Sequence, residues 1–403
     1  MTEMKNQQRV IEESKALFAD KFGGGGDREV HVGWAPGRVN LIGEYTDLNQ
    51  GYVLPMPIDQ GICVVLGLRA EPGLSVYAHA FESSRAIALP AELPSQAETS
   101  PDWATFVLGV AQLCQRAGCA FQGFDAVIHS NLSSSGGVSS SAALTTAISM
   151  AIQSATQHFL EPLANAQLCQ RVEHDYLGVM CGLMDQMACR LGRSQHALFV
   201  DCATNESENV PFPAEHAQLL IVNSGVSRTL YSSEYNARRL ECGQAVEAIR
   251  GLGHELSSLR DASEALIERV APQLDATLLR RARHVVSENA RVLAAKAHLV
   301  GGQLQAFGEL MFASHASLRD DFQVSVAELD EIVDAAKSCK GVLGARLTGA
   351  GFGGNAIVLM QPEHAAAISE AIVKRFSARF GSHPPTHLVG IGTAASGAQL
   401  PAM

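Results

Sequence analysis

Apolar residues recur along this chain at two spacings, which predict helices and strands in mixed order. Residues 3–21 carry apolar positions at helical spacing and end at the glycines 23–26, so we predict a helix there. Short apolar runs predict strands at 28–35, 51–58, 61–68, 125–132 and 196–202. Longer periodic runs predict helices at 103–115, 142–159 and 163–177.

The second half of the chain has more helical patterns than strand-like runs. The polar stretch 203–213 is the predicted boundary between two domains, 1–205 and 206–403, because one compact core rarely holds 403 residues. A strand is predicted at 217–225, helices within 232–312 interrupted near 251–253 and 301–302, and further helices at 328–338 and 363–380. Two halves of mixed helices and strands predict an α+β or α/β fold.

Composition and charge exclude several classes of protein. The chain is 47% hydrophobic and 18% charged, as in a globular protein with a sizeable core. Its net charge of −11 argues against a nucleic-acid or anionic-membrane surface, since both need clustered Lys and Arg. The nine cysteines show no metal-type spacing, and the charged N-terminal segment lacks the apolar core of a signal peptide. We therefore expect a cytoplasmic protein with reduced thiols and no nucleic-acid or membrane partner.

A run of serines and glycines, SSSGGVSSS at 133–141, follows a predicted strand and precedes a predicted apolar helix. We call it the serine turn. A small-residue loop that leads into a helix directs free backbone N–H groups at one point, which suits an anion such as phosphate. The turn has no lysine, so it is not a Walker A loop. A flexible Gly/Ser linker is the alternative interpretation.

A second cluster of small residues, Gly349 to Gly354, matches the GxGxxG spacing of dinucleotide-binding turns. We call it the glycine loop. A dinucleotide turn leads from a strand into a helix, whereas NAIVLM at 355–360 has the pattern of a strand. The dehydrogenase interpretation is therefore rejected. Close packing of two loops, as in the wall of a cleft, is the interpretation that is left.

Charged residues are concentrated in APGRVNLIGEYTD at 35–47, which places Arg38, Glu44 and Asp47 close together. We call it the signature segment. Asp185 lies far away in sequence, among apolar residues and glycine, where a solvated carboxylate is unusual. A half-buried carboxylate needs a cation or donors, and Arg38 is a candidate partner. A solvated loop with a simple ion pair is the alternative for the signature segment alone.

At these residues the chain resembles the galactokinases, a branch of the GHMP family of small-molecule kinases. The signature segment is similar to the galactokinase signature, the serine turn to the family's phosphate loop, and LTGAGFGG to its third motif. Segments between them, including HVVSENARV at 284–292, are similar as well. The resemblance runs from about 28 to 360, and the last forty residues match poorly. It implies an α+β fold with an N-terminal ribosomal-S5-like domain and a C-terminal ferredoxin-like domain.

The resemblance also implies an activity, the ATP-dependent phosphorylation of the C1 hydroxyl of D-galactose by a monomer that uses Mg²⁺. The implied catalytic pair is Asp185 and Arg38. The implied sugar-binding residues are Arg38, Glu44, Tyr45, Asp47, Gly182, Asp185 and Tyr235. The implied nucleotide-binding residues are Trp103, Ser135, Gly136, Gly137, Val138, Ser139, Ser140 and Ser141. Ser141 and Glu173 match the magnesium positions.

Tyr45 departs from the family pattern, which usually has histidine beside the C6 hydroxyl of the sugar. Tyrosine is bulkier but still a donor and an acceptor, so it could make the same hydrogen bond or reshape that corner. The substrate alternatives are therefore L-arabinose or another sugar modified at C6. A non-catalytic sensor of sugar and ATP is the alternative from another class of protein, and the intact Arg38, Asp185 and serine turn argue against it.

Overall fold

A computed structural model of the chain contains eleven α-helices and thirteen β-strands within its described residues. The structure describes residues 2–23, 29–89, 102–132, 137–226, 231–390, 392 and 395–399. In chain order the first elements are α1 Thr2–Phe22, β1 His31–Asn40, β2 Tyr52–Val53, β3 Pro55–Arg69, β4 Gly73–Ala78, β5 Ser83–Ile87, α2 Trp103–Arg116, β6 Gly123–Ser130, α3 Ser140–Thr156, α4 Pro162–Leu177, α5 Met184–Leu191 and β7 His196–Asp201. The remaining elements are β8 Glu206–Pro211, β9 Gln218–Asn223, α6 Tyr231–Gly251, α7 Glu264–Val270, α8 Ala276–Val300, α9 Leu304–Asp320, α10 Ala327–Lys337, β10 Val342–Thr348, β11 Asn355–Met360, α11 Ala365–Phe380, β12 Thr386–Val389 and β13 Ser396–Gln399.

The strands form three sheets. The largest has the order β13-β1-β3-β6-β4-β5, in which β4 and β6 are parallel and the other described pairs antiparallel. The second sheet is antiparallel with the order β10-β11-β9-β12, and the third has the order β2-β7-β8. Helices and strands are thus mixed in both halves, and the α+β expectation is confirmed.

The largest sheet is covered on both faces, because side chains alternate along its strands. On β3, Val64 packs in a cluster with Ile148 of α3, while its neighbour Val65 packs in a cluster with Phe18 of α1. Helix α3 lies very close to β1, since any side chain on Gly33 would come within 2.0 Å of the Ala147 oxygen. This contact places the start of α3, and with it the end of the serine turn, beside β1.

Three regions differ from the elements predicted by sequence pattern. The strands predicted at 51–58 and 61–68 are largely joined in a single strand, β3. It continues through Gly61, which pairs with β1 so closely that a Cβ there would lie 2.4 Å from the Ala35 oxygen. Strand β4 is short, and β5 is short and polar, so neither stands out in the sequence. The polar stretch 203–213 contains β8, which pairs with β7 through a turn where Asn205 has a φ of 59°.

The end of the described chain returns to the first sheet. Strand β13 pairs antiparallel with β1, with His31 opposite Gln399 and Trp34 opposite Ser396. Both β8 and β13 therefore pair with strands on the other side of the division that we placed after residue 205. No helix in the described ranges is both long enough and apolar enough to cross a bilayer.

Candidate active site

A cavity of about 270 Å³ opens where the signature segment, the loop before α5 and the glycine loop meet. Both halves of the chain contribute to it. Its lining residues are Arg38, Glu44, Tyr45, Asp47, Phe106, Ser141, Glu173, Leu177, Val179, Cys181, Gly182, Met184, Asp185, Tyr235, Gly349 and Ala350. The glycine loop therefore forms a portion of the cleft wall, as predicted.

Arg38 and Asp185 form an ion pair in the cavity wall. Arg38 lies on β1 and donates to Asp185 Oδ1 from Nε at 2.8 Å and from Nη2 at 2.6 Å. The Arg38 side chain is 5% exposed and that of Asp185 29% exposed, so the carboxylate reaches the cavity while its cation is buried behind it. Asp185 is in the first turn of α5, where the helix dipole also favours a negative charge.

The end of the serine turn is hydrogen-bonded to this pair. Ser139 Oγ donates to Asp185 Oδ2 at 2.5 Å, and Arg38 Nη1 donates to the Gly137 oxygen at 3.0 Å. The Arg38 N–H also donates to the Val138 oxygen at 3.1 Å. Helix α3 begins at Ser140, directly after this point. Ser135 and Gly136, also predicted to contact the nucleotide, lie outside the described residues.

Glu173 and Ser141 meet on another side of the cavity. Ser141 Oγ donates to Glu173 Oε1 at 3.3 Å, and Gln186 Nε2 donates to the same oxygen at 2.9 Å. Burial and the nearby charge of Asp185 raise the pKa of Glu173 to about 7. A cation beside a carboxylate in this position would stabilise its ionised form. Among the described residues no group of three or more His, Cys, Asp or Glu side chains could hold a metal ion by itself.

Asp47 and Gly182 form a close contact across the cavity. A Cβ on Gly182 would lie 1.9 Å from Asp47 Oδ2, so glycine is required for the carboxylate to occupy this place. The N–H of Leu48 donates to Asp47 Oδ1 at 2.9 Å. Burial, with the charge of Asp185, raises the pKa of Asp47 to about 7.

Glu44 is almost fully buried and is held by the C-terminal half of the chain. Arg346 Nη2 lies 2.7 Å from Glu44 Oε2, and the Gly349 N–H donates to Oε1 at 2.6 Å. Asn40 Nδ2 donates to Oε2 at 2.5 Å. Burial raises the pKa of Glu44, and the Arg346 guanidinium opposes that shift. The signature segment is therefore joined to β10 by a buried ion pair and to the glycine loop by a hydrogen bond.

Tyr45 lines the cavity with its ring, while its hydroxyl is bound to the glycine loop. Tyr45 Oη donates to the Ala350 oxygen at 2.6 Å. Its ring packs against Phe322 at 4.5 Å and Tyr235 at 5.4 Å between centroids. The hydroxyl hydrogen is thus used within the protein.

The site also contains residues that sequence reasoning missed. Trp103, predicted at the nucleotide site, starts α2 and packs against the core beside Arg85, whereas Phe106 one turn later lines the cavity. The apolar lining residues carry no sequence signal that separates them from core residues. Arg346 does carry such a signal, since it is a charge within the apolar strand VLGARLT, and it is fully buried.

Three family models and a relative of known sequence match this chain. The galactokinase galactose-binding signature matches residues 16–68, the GHMP kinases N terminal domain matches 105–193, and the GHMP kinases C terminal domain matches 293–378. A galactokinase of Halalkalibacterium halodurans is 36% identical over 376 residues, which are 93% of this chain and 94% of that protein.

Two solved structures have the same fold. Lactococcus lactis galactokinase complexed with galactose has a TM-score of 0.88 and 33% identity, covering 97% of this chain and 99% of that chain. Methanococcus jannaschii mevalonate kinase has a TM-score of 0.63 at 18% identity, covering 89% of this chain and 98% of that chain, and shares the fold. Fold and site thus define a GHMP kinase of two domains, the class that the motifs implied. Within that class, the chain belongs to the galactokinase family and is a sugar kinase.

Proposed function

We propose that the protein transfers the γ-phosphoryl group of ATP to the C1 hydroxyl of D-galactose. The observation that carries this proposal is the Asp185 carboxylate, which faces the cavity between Arg38 and the serine turn. The similar L. lactis protein was crystallised with galactose, which supports a small sugar as the ligand of this cavity.

The hydrogen bonds of Asp185 indicate which oxygen takes the proton. Oδ1 accepts two hydrogen bonds from Arg38, while Oδ2 accepts a single bond from Ser139. A carboxylate oxygen has about two lone-pair sites, so Oδ2, which accepts one bond from the described residues, can also accept from the sugar hydroxyl. We infer that Oδ2 accepts the C1 proton as the bond to phosphorus forms, while Arg38 holds the carboxylate in place. Phosphoryl transfer needs mainly such positioning and charge neutralisation.

The proposed nucleotide site is the serine turn and the start of α3. Backbone N–H groups at a helix N-terminus suit phosphate oxygens, and Gly137, Val138 and Ser139 lie beside the catalytic pair. Ser135, Gly136, Ser140 and Ser141 would complete the phosphate contacts. Trp103 would lie at the adenine end, as the family resemblance implies.

Ser141 and Glu173 are the residues that would hold Mg²⁺. Their oxygens lie 3.3 Å apart in the cavity wall, and the raised pKa of Glu173 belongs to a buried carboxylate that a cation would stabilise. Two protein ligands are enough, because Mg²⁺ usually completes its coordination with phosphates and water. The ion would neutralise charge on the phosphate oxygens.

The proposed sugar contacts come from the rest of the lining, Glu44, Tyr45, Asp47, Gly182 and Tyr235. Asp47 has one described donor, the Leu48 N–H, so its carboxylate can accept from sugar hydroxyls. Glu44 already accepts from the Gly349 N–H and from Asn40, and is paired with Arg346. Asp47 is therefore the stronger candidate for direct sugar contacts. We also propose that the enzyme acts as a cytoplasmic monomer. Its net charge of −11 supports the absence of nucleic-acid and anionic-membrane partners.

Measuring ADP release with galactose, L-arabinose, glucose and N-acetylgalactosamine tests the substrate. Galactose is expected to be the best of the four, and glucose to be slower by about 10³-fold or more, because sites built on hydroxyl pairing reject misfits strongly. Tyr45→His is expected to keep galactose as the best substrate, since the Tyr45 hydroxyl hydrogen is used on Ala350. Faster turnover of L-arabinose than of galactose would contradict the proposal that galactose is the substrate. If sugar stabilised the protein against unfolding but no ADP were released, the proposed kinase activity would be wrong.

Galactose affinity is expected to rise with pH up to about 7. The pKa of Asp47 in the free protein is raised to about 7, by burial and then by the charge of Asp185. The ionised carboxylate is the better acceptor, so sugar binding favours it and releases a proton. The dissociation constant should then fall by up to about tenfold per pH unit below 7 and level off above it. Titration calorimetry without nucleotide or metal measures this, and Asp47→Asn should bind weakly at every pH. A wild-type constant that does not change between pH 5.5 and 8 would contradict the role of Asp47.

A further inference from the structure

Helix α8 presents polar side chains to the signature segment, although the reaction described above does not use them. His284 and Glu288 lie four residues apart, which puts them on one face of the helix, and Asn289 follows directly after them. All three are buried, at 0%, 0% and 8% exposure. They belong to the segment HVVSENARV, and buried polar groups of this kind need partners.

The backbone they contact is unusual. Gly43 has a φ of 104° and Tyr45 a φ of 67°, so two left-handed residues flank Glu44. A tyrosine in this region is rare and strained, and the surroundings must offset that strain. We call residues 43–45 the signature turn. Its conformation directs Glu44 towards Arg346 and Tyr45 towards Ala350.

Glu288 and His284 hold this turn by its backbone. Glu288 Oε1 accepts from the Gly43 N–H at 2.9 Å and from Ser314 Oγ at 2.6 Å, and Oε2 pairs with Arg291 at 2.6 Å. Burial would raise the pKa of Glu288, but Arg291 and the other nearby donors hold it at about 2. The carboxylate is therefore ionised at every working pH.

His284 makes the complementary contact. Its Nε2 lies 3.2 Å from the backbone carbonyl oxygen of Glu44, and its Nδ1 lies 2.8 Å from Ser317 Oγ. A carbonyl oxygen can only accept, so Nε2 carries the hydrogen and Nδ1 accepts from Ser317. Burial lowers the pKa of His284 to about 4, which keeps the ring neutral. The two side chains thus fix one N–H and one C=O on adjacent residues of the turn.

We propose that Glu288 and His284 are positioning residues that set the affinity for the sugar through the signature turn. Neither lines the cavity, so they act through Glu44 and Tyr45, which do. The serine turn contacts Arg38 and Asp185 instead, so the nucleotide side of the site does not depend on them. This proposal rests on the sugar site proposed above.

Steady-state kinetics of Glu288→Ala and Glu288→Gln test the proposal. Glu288→Ala leaves the Gly43 N–H buried without its acceptor, and we expect the KM for galactose to rise about tenfold while the KM for ATP changes by less than about twofold. Glu288→Gln keeps a carbonyl that can accept from Gly43, so it should recover most of the galactose affinity. Equal changes in the two KM values, or no change in either, would overturn the positioning role.

The matched control is Glu331→Ala. Glu331 is also a buried carboxylate, at 3% exposure, but it pairs with Arg375 and Arg379 between α10 and α11. This variant should lose stability without a separate change in the KM for galactose. If Glu288→Ala does not fold, His284→Leu against His284→Gln makes the same comparison, because glutamine can donate to the Glu44 oxygen and leucine cannot. The sugar used is whichever one the wild type turns over, so a failure of galactose as substrate does not decide the positioning role.

Discussion

Replacing Asp185 with asparagine is expected to lower the kcat for ADP release with galactose by about 10³-fold or more. Galactose should still bind. The amide keeps the shape of the side chain but cannot take the C1 proton at Oδ2. It also places a group beside Arg38 that no longer balances the guanidinium charge. A loss in kcat with retained sugar affinity is the mark of an interaction that is made in the transition state.

The variant Asp175→Asn is the control that distinguishes a loss of catalysis from a general loss of folded protein. Asp175 lies on α4 in an exposed pair with Arg171 at 3.5 Å, so its loss should change kcat by less than about twofold. Galactose binding to both variants is measured by calorimetry, and turnover by coupled ADP assay. Near-normal turnover of Asp185→Asn would remove Asp185 from the mechanism. Complete loss of galactose binding would assign it to the sugar site instead.

Arg346→Met is expected to lower the free energy of unfolding by about 3–5 kcal/mol, the range measured when one partner of a buried ion pair is removed. Arg346 and Glu44 are 0% and 2% exposed, so the carboxylate would be left in the protein interior without its cation. Glu44 would then retain only uncharged donors such as the Gly349 N–H and the Asn40 amide. Urea denaturation followed by fluorescence and circular dichroism measures the change.

Arg319→Met is the control for this variant, because Arg319 pairs with Asp320 at 41% and 61% exposure. Exposed pairs contribute about 0–1 kcal/mol, so its urea midpoint should stay close to that of the wild type. A similar loss in both variants would show that the long side chain matters and the buried charge does not. Galactose should also stabilise Arg346→Met less than the wild type, since Glu44 lies in the cavity wall.

The sequence allowed much of the site to be predicted. A carboxylate among apolar residues and an arginine in a charged segment suggested the pair of Arg38 and Asp185, which the structure joins at 2.6 Å. The serine turn was recognisable because a strand pattern ends before it and a helix pattern begins after it. Each of these features can be recognised from a few neighbouring residues of the sequence.

Most other contacts between distant segments could not be predicted in this way. Nothing near Glu44 indicates that its cation is Arg346 or that Glu288 accepts from the N–H beside it, since these pairings depend on how two domains meet. The bond from Tyr45 to Ala350 likewise depends on the left-handed backbone at Tyr45. Strand β3 was divided wrongly because a polar Asp59-Gln60-Gly61 resembles a turn, while tertiary packing keeps the strand extended.

The pairing of β13 with β1 has a consequence for how the protein is made. The last of the described strands hydrogen-bonds to the strand that carries Arg38, across almost the whole length of the chain. Contacts this far apart in sequence close late and make folding slow. During synthesis the edge of β1 stays unpaired until β13 leaves the ribosome, and an open strand edge is a site of aggregation. The strand that carries Arg38 is therefore among the last regions of the molecule to have both of its edges paired.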